Sequence, residues 1–222
     1  MADTPEDPRG RRTRDPERSR RAILDAARDE FVEHGYTGAR TGRIAKAAEV
    51  PQGLIYHYFE SKEVLFDAVM EDAVAPYFGG MLDMLQSADS PDLGLLERSV
   101  RRYFEFLRDH PGVTRLLAWW MADQAWADKP LTRKRGVAEA VELLGAQRIR
   151  EGQQAGFIRD DLDPALVIKT FVDMCLMWHM SKGRHMLHCA PGHDEPDLDD
   201  RYLEHMVDVF LNGIVARSHR PE

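Results

Sequence analysis

The stretch that most constrains the fold of this 222-residue chain is 41–62, TGRIAKAAEVPQGLIYHYFESK. Thr41 suits the N-cap of a short helix, and Ile44 and Ala48 recur at the spacing of one apolar helical face. A brief break follows before the next apolar pattern starts. The stretch therefore predicts short helices packed closely together and excludes a long uninterrupted helix.

A second short helix is predicted over residues 51–57, because Pro51 has no N–H to leave unpaired at a first helical position. Ile55 and Phe59 are expected to face neighbouring helices, and Ser61 is expected to cap a longer third helix. Two short helices joined by a tight turn form a helix-turn-helix, whose second helix can enter the major groove of DNA. The alternative is a three-helix packing unit that touches no nucleic acid.

The outward side chains of this unit supply groups that suit a DNA-reading helix. Gln52 carries an amide for base edges, and Gly53 permits close approach. Tyr56 is left open between core packing and phosphate contact. With flanking basic residues added, the predicted DNA-binding set is Arg12, Arg14, Thr41, Arg43, Gln52, Gly53, Leu54, Tyr56, His57 and Lys62.

The ordered positions of residues 17–66 resemble the TetR (tetracycline repressor) family of transcription regulators. The residues that carry the resemblance are Ile23, Leu24, Ala27, Phe31, Gly35, Thr41, Ile44, Ala45, Ala48, Val50, Gly53, Tyr56, Phe59, Ser61, Lys62, Glu63 and Leu65. The resemblance implies a DNA-binding head on a helical body that holds a small-molecule site and forms a dimer.

Two positions depart from the family pattern. Glu49 and Pro51 stand where the family usually has Gly and Ser or Thr. A glutamate in a left-handed turn costs about 1 kcal/mol, which leaves room for a turn of different geometry. Leu54 replaces a frequent threonine that contacts phosphate, which affects one backbone contact but not the docking mode.

The net charge of −8 is unusual for a DNA-binding protein, but the charge is unevenly distributed. Residues 1–62 carry 12 Lys and Arg against 11 Asp and Glu, whereas residues 63–222 carry 18 against 27. An acidic remainder repels phosphate and helps to orient the basic end toward DNA. Arg12 and Arg14 lie in a basic arm that can follow the adjacent minor groove, and the alternative is a solubilising tail.

Cap and breaker residues predict an all-α chain of about nine helices and no strands. We expect a disordered basic arm at 1–14, a helix-turn-helix domain at 15–60, and a ligand-binding and dimerisation domain at 61–222. Helix one is predicted to end at Gly35, and Pro76 with Gly79-Gly80 is predicted to bend or end the fourth helix. The later helices are predicted over 91–109, 112–127, 130–155, 164–182 and 200–217.

The body concentrates wide, soft side chains that suit a pocket for an apolar or aromatic molecule. The resemblance implies such a site, although for any one of these residues ordinary core packing is the simpler explanation. The predicted ligand-binding set is Phe104, Trp119, Trp120, Trp126, Phe171, Met174, Met177 and Trp178. No cofactor is expected.

The last helix carries an apolar stripe that can serve a subunit interface or the core. In the family the last two helices pair with their copies, so the resemblance implies a homodimer with Leu203, Val207, Phe210 and Ile214 at the seam. A two-fold pair of heads matches a palindromic operator on double-stranded DNA.

Other functions have weaker sequence support. The spacing of His185, His188, Cys189 and His193 resembles soft metal ligands, with His179 nearby, but solvated loop histidines explain it more simply and no metal is assigned. No catalytic fingerprint, apolar membrane span or secretory signal is evident, and two cysteines make no disulfide framework. We therefore predict a cytoplasmic, ligand-responsive repressor. The alternatives are a metal- or redox-responsive regulator and a helical interaction module without DNA binding.

Overall fold

The computed structural model describes residues 15–89, 92–122, 137–181 and 197–216. Within these ranges it has nine helices and one isolated antiparallel bridge, between Ile158 and Val215. The helices are α1 (Pro16–Gly38), α2 (Thr41–Ala47), α3 (Gln52–Phe59), α4 (Lys62–Ser87), α5 (Leu93–Asp109), α6 (Pro111–Ala122), α7 (Val137–Gln154), α8 (Pro164–Ser181) and α9 (Leu198–Ile214). The predicted all-α class is confirmed.

The chain divides into two compact units, Met1–Val69 and Met70–Glu222, which we call the head and the body. The core of the head forms where α1 contacts α2, and where α2 contacts α3. Its fully buried side chains come from all three helices and from the start of α4. They are Ile23, Ala27, Phe31, Ile44, Ile55, Leu65 and Phe66.

The caps of the head helices follow the sequence closely. Asp15 caps α1 as predicted, because its Oδ1 accepts a hydrogen bond from the Glu17 N–H at 3.1 Å. Two predicted helix starts are one residue off: Arg40, not Thr41, is the N-cap of α2, and Pro51 is the N-cap of α3. Gly35 ends the regular part of α1 near the predicted position, because its φ of 66° and ψ of 178° are not helical; a further short helical segment continues across this kink to Gly38.

The turn between α2 and α3 is built in the ordinary way, so the expectation of a different geometry was wrong. The Val50 N–H donates to Ala45 O at 3.0 Å, and the Glu49 N–H donates to Lys46 O at 3.2 Å. This pair of bonds is the Schellman motif, which places the residue after the C-cap in the left-handed region. That residue is Glu49, with φ 54°.

Helix α4 does not end at Pro76 or at the glycine pair but continues to Ser87. Ser61 Oγ accepts from the Val64 N–H at 3.2 Å at its start. At its end, Arg148 Nη2 donates to Leu85 O at 2.9 Å and to Ala88 O at 3.0 Å. The long helix is thus capped by side chains at both ends, which satisfies backbone groups that have no helical partner.

The body is organised around α5 and α8. Helix α5 contacts α6, α8 and α9, while α8 also contacts α6, α7 and α9. The side-chain pairs Trp178–Tyr202, Cys175–Met206 and Phe171–Phe210 show that α8 and α9 run antiparallel. None of the described helices is long and apolar enough to cross a membrane.

The strained glutamate gives a stability prediction. Glu49→Gly should raise the free energy of unfolding by about 0.5–1 kcal/mol, because glycine adopts a positive φ without a Cβ clash. The matched control is Glu33→Gly on α1, which should lower the free energy of unfolding by about 1 kcal/mol because Glu33 has a helical backbone conformation. Urea denaturation measures both, and a loss of stability in Glu49→Gly would contradict the argument.

Candidate nucleic-acid interface

The first turns of α3 present their polar side chains outward. Gln52, Gly53 and His57 are exposed, while Ile55 and Phe59 are buried beneath them. Tyr56 retains 46% of its accessible surface, so it lies outside the core of the described head. A short helix with a buried apolar side and an exposed polar side is the arrangement that lets a recognition helix face DNA.

Three of the predicted DNA-binding side chains hydrogen-bond to one another. Gln52 Nε2 donates to Thr41 Oγ1 at 2.9 Å, and Thr41 Oγ1 lies 3.1 Å from Tyr56 Oη. Thr41 is the first residue of α2, and Gln52 is the first residue of α3. The bonds therefore link the starting ends of the two short helices.

Gly53 leaves open space on this surface. A Cβ atom added at Gly53 would meet no other atom within 4 Å. The fold therefore does not require glycine at this position for packing. A missing side chain on an exposed recognition helix instead allows another molecule to approach the backbone closely.

Arg43 does not present a free positive charge. Its Nε donates to both carboxylate oxygens of Glu30, at 2.7 and 3.0 Å, and its Nη2 donates to Gly38 O at 2.9 Å. The Glu30 carboxylate also accepts from the Arg40 N–H at 2.8 Å. The predicted DNA-binding residue Arg43 is thus engaged in tying α2 to α1.

Glu30 is the residue of this site that sequence reasoning missed. Only 10% of its side chain is exposed. Burial alone would raise the pKa of Glu30, but hydrogen bonds from Arg43 and from the Arg40 N–H outweigh it and lower that pKa below its ordinary value. An acidic residue in an amphipathic helix gives no sequence signal for such a role.

Lys62 lies at the first position of α4, with Nζ 4.8 Å from the centre of the Tyr36 ring. Partial burial lowers the pKa of Lys62; the Glu30 carboxylate opposes this shift, and the Arg43 charge adds to it. The remaining predicted residues are less informative. Leu54 is half-buried, His57 packs against Tyr58 at 5.3 Å, and Arg12 and Arg14 lie outside the described residues.

The structure does not gather the predicted ligand-binding residues into one pocket. Trp119 and Met177 are exposed, whereas Phe104 is fully buried with its ring 4.5 Å from that of His179. Trp178 stacks on Tyr202 at 3.8 Å and donates from Nε1 to Asp199 at 3.0 Å. Trp126 lies outside the described residues.

The other aromatic and methionine predictions lie nearer the core. Phe171 packs between Tyr103 and Phe210, at 6.2 and 5.9 Å, and Met174 is half-buried. Trp120 Nε1 is buried and has no hydrogen-bond partner within the described part of the chain. Buried polar groups are nearly always bonded, so this indole is the member of the set that a ligand would serve best.

The predicted dimer residues are buried inside the single subunit. Leu203, Val207, Phe210 and Ile214 expose between 4% and 6% of their surface. They form the face that α9 packs against its own subunit, where it contacts α5 and α8. The exposed large apolar residues of these last two helices are Leu166, Met177 and Val209.

Little in the described residues supports a metal or redox sensor. Residues 185–193, including Cys189, lie outside them, and no cluster of three possible metal ligands occurs within them. Cys175 is fully buried beside Met206, and burial raises the pKa of its thiol to about 12. A thiol with so little thiolate character is unreactive.

Two family descriptions match this chain. "Bacterial regulatory proteins, tetR family" matches residues 23–69, and "Tetracyclin repressor-like, C-terminal domain" matches residues 96–208. The chain is also 34% identical over 149 residues to the HTH-type transcriptional repressor SCO4008 of Streptomyces coelicolor. This alignment covers 66% of this chain and 71% of that repressor.

The chain belongs to the TetR family. A second relative, the transcriptional repressor NicS of Pseudomonas putida, is 28% identical over 212 residues, covering 92% of this chain and 96% of NicS. The solved structure of FadR from Bacillus subtilis with stearoyl-CoA superposes with a TM-score of 0.63 at 21% identity, over 85% of this chain and 97% of FadR, and shows the shared fold. This TetR-family chain is a DNA-binding transcriptional regulator, which confirms the prediction that it is not an enzyme.

Gly53→Ala should change the free energy of unfolding and the affinity for DNA in opposite directions. The added methyl meets nothing in the protein and improves helix propensity, so the free energy of unfolding should rise by up to about 1 kcal/mol. Affinity for a DNA fragment selected by the wild-type protein should fall about tenfold, because the methyl occupies the space needed for close approach. Gly79→Ala is the control: it also meets nothing within 4 Å, so its DNA affinity should not change.

Lys62 and Arg43 should differ in the salt dependence of binding. Lys62→Ala should weaken binding to every sequence alike and reduce the slope of log Kobs against log salt by about one phosphate contact. Arg43→Ala should weaken binding without changing that slope, because Glu30 already neutralises the Arg43 charge. Fluorescence anisotropy at several salt concentrations measures both slopes, and equal slope changes would contradict the assignment of Arg43.

Proposed function

We propose that the protein is a homodimeric repressor that binds a palindromic operator and leaves it when a small apolar or aromatic molecule enters the body. The observation that carries the proposal is the polar face of α3, on which Gln52 and Tyr56 are exposed and Gly53 leaves open space. Reading helices of this kind contact few bases each, so two copies related by a two-fold axis are needed to read a useful site.

Release by a small molecule is supported by the family match of the body and by one related structure. Residues 96–208 match the C-terminal domain of tetracycline-repressor-like proteins, and the FadR structure holds stearoyl-CoA. In this chain we assign the effector to the surroundings of Trp120. The indole N–H of Trp120 has no hydrogen-bond partner among the described residues, which favours an effector with an acceptor oxygen.

The release mechanism is an equilibrium between two spacings of the paired heads. An effector shifts this equilibrium only if it binds one spacing more tightly than the other. A tenfold difference in affinity for the two spacings corresponds to about 1.4 kcal/mol. Contacts that the effector makes in only one arrangement of the body supply that difference.

The dimer seam is assigned to the exposed apolar residues of α8 and α9. Leu166 and Met177 are 11 residues apart on α8, which brings them to the same side of the helix after three turns. Val209 lies on the neighbouring helix α9 and is 49% exposed. Apolar residues exposed on adjacent helices are typical of an interaction surface, and the family match favours a second copy as the partner.

Binding to DNA from beside the gene tests the proposal directly. A gel shift should show a single sequence-specific complex whose stoichiometry is two chains per duplex. Scrambled DNA of the same length and composition serves as the control. Equal affinity for both fragments would leave a helical interaction module as the better description of the chain.

Met177→Glu tests the seam. Burying a carboxylate in an apolar interface is costly, so this variant should become monomeric at micromolar concentration and lose at least about tenfold in operator affinity. Leu143→Glu is the matched control, because Leu143 is 66% exposed on α7, a helix that contributes no residue to the proposed seam. Analytical ultracentrifugation measures both, and a dimeric Met177→Glu protein would refute the assigned seam.

A further inference from the structure

The polar face of the head contains a small hydrogen-bond network that links two helices. Gln52 and Tyr56 are four residues apart and therefore share one side of α3. Both reach the hydroxyl of Thr41, on α2, at 2.9 and 3.1 Å. Thr41 itself is half-buried, whereas Gln52 and Tyr56 are exposed. The network thus joins the half-buried Thr41 to two side chains at the surface.

Counting donors and acceptors shows what the network leaves for a partner. The Gln52 amide has two N–H donors and one carbonyl oxygen, and each hydroxyl has one donor. One Gln52 N–H is used on Thr41, and one hydroxyl proton is used between Thr41 and Tyr56. Among the described residues, one amide N–H, the amide oxygen and one hydroxyl proton therefore have no further partner and remain for DNA.

The bond to Thr41 also sets the orientation of the amide. With Nε2 held by Thr41, Oε1 lies beside the start of α2, 3.9 Å from the position that a Cβ on Gly42 would occupy. A surface glutamine without such a bond samples several rotamers, and ordering it on binding costs free energy. Here the ordering is present before DNA arrives.

The remaining pattern of one N–H beside one acceptor oxygen matches a specific base. In the major groove, adenine presents an acceptor at N7 and a donor at N6, and a glutamine amide pairs with both at once. Guanine presents two acceptors there, cytosine a lone donor, and thymine a lone acceptor beside its methyl group, so none of these three satisfies both groups of the amide. The oriented Gln52 therefore selects adenine.

We infer that Thr41 is a specificity-determining residue, which orients Gln52 to read adenine without itself touching the base. This inference rests on the proposed function, since it requires α3 to enter the major groove. Thr41 acts here as a positioning residue. A purely structural role, or a phosphate contact by Thr41, would change the affinity for all sequences alike and leave the base preference intact.

Selection from a randomised duplex library, carried out at one fixed salt concentration, tests the inference with the full-length protein. The wild-type protein should enrich adenine at one position of each half-site, and Gln52→Ala should lose that preference. Thr41→Val keeps the shape of the side chain but removes the hydroxyl, so it should weaken the preference for adenine by about two- to tenfold. Thr41→Ser keeps the hydroxyl and should therefore retain the preference for adenine.

Two further measurements keep the result unambiguous. The salt slope of Thr41→Val should equal that of the wild type, because a neutral hydroxyl releases no counterion. Tyr56→Phe removes the other bond to Thr41 Oγ1 and should reduce the preference in the same direction, which provides a second variant if Thr41→Val folds poorly. Thermal melts of all variants report folding separately from DNA binding.

The outcomes distinguish this inference from the proposed function. Enrichment of a palindrome with unchanged adenine preference in Thr41→Val, or enrichment of another base at the position lost in Gln52→Ala, would overturn the inference alone. Failure of the wild-type protein to enrich any sequence would overturn both. Loss of adenine preference in Thr41→Val with recovery in Thr41→Ser supports the inference.

Discussion

The side of the head that carries the proposed DNA-binding residues depends on one nearly buried carboxylate, that of Glu30. Glu30 accepts hydrogen bonds from the Arg40 N–H and from Arg43, and both donors belong to the start of α2. A buried charge is tolerated only when it is paired and hydrogen-bonded, so the position of Glu30 on α1 dictates where α2 begins. Thr41 follows Arg40 directly, and its hydroxyl holds Gln52. The position of α3 is therefore linked to α1 through charge pairing as well as apolar packing.

Local rules predicted the architecture of the head well, because caps and apolar spacing act over a few residues. The capping role of Asp15 and the burial of Ile55 and Phe59 are of this kind. The turn at Glu49 was misjudged because a residue's own conformational preference was weighed without the two backbone hydrogen bonds that impose the left-handed turn. The role of Glu30 could not be predicted, since its partners are 10 and 13 residues away and no periodic pattern connects them.

In the body, the sequence pattern located the helices but not the surfaces that they present. The stripe on α9 that includes Leu203 and Phe210 is the strongest apolar signal of that helix, and it faces the core of the same subunit. A core needs a continuous apolar face, whereas a second interface on the same helix needs only a few exposed residues such as Val209. The spacing of apolar residues along a helix therefore identifies the face that packs in the core more readily than a face that binds a second subunit. Which wide side chains share one pocket depends on how the helices pack together, and local sequence patterns do not reveal that packing.

Helix α4 begins in the head and ends in the body, so it is the continuous segment that connects the two units. Its 26 residues correspond to about 39 Å of helix, and its far end is fixed by Arg148 on α7. Pro76 removes one internal hydrogen bond, so the helix resists bending least at that point. The next residue, Tyr77, packs at about 5 Å against Tyr103 and Phe106 of α5. A change in head spacing of the kind proposed for release would need α4 to bend or change its tilt. An effector that rearranges this aromatic contact acts at the place where the helix is easiest to bend, whereas one that binds near Ser87 has to break the Arg148 bonds as well.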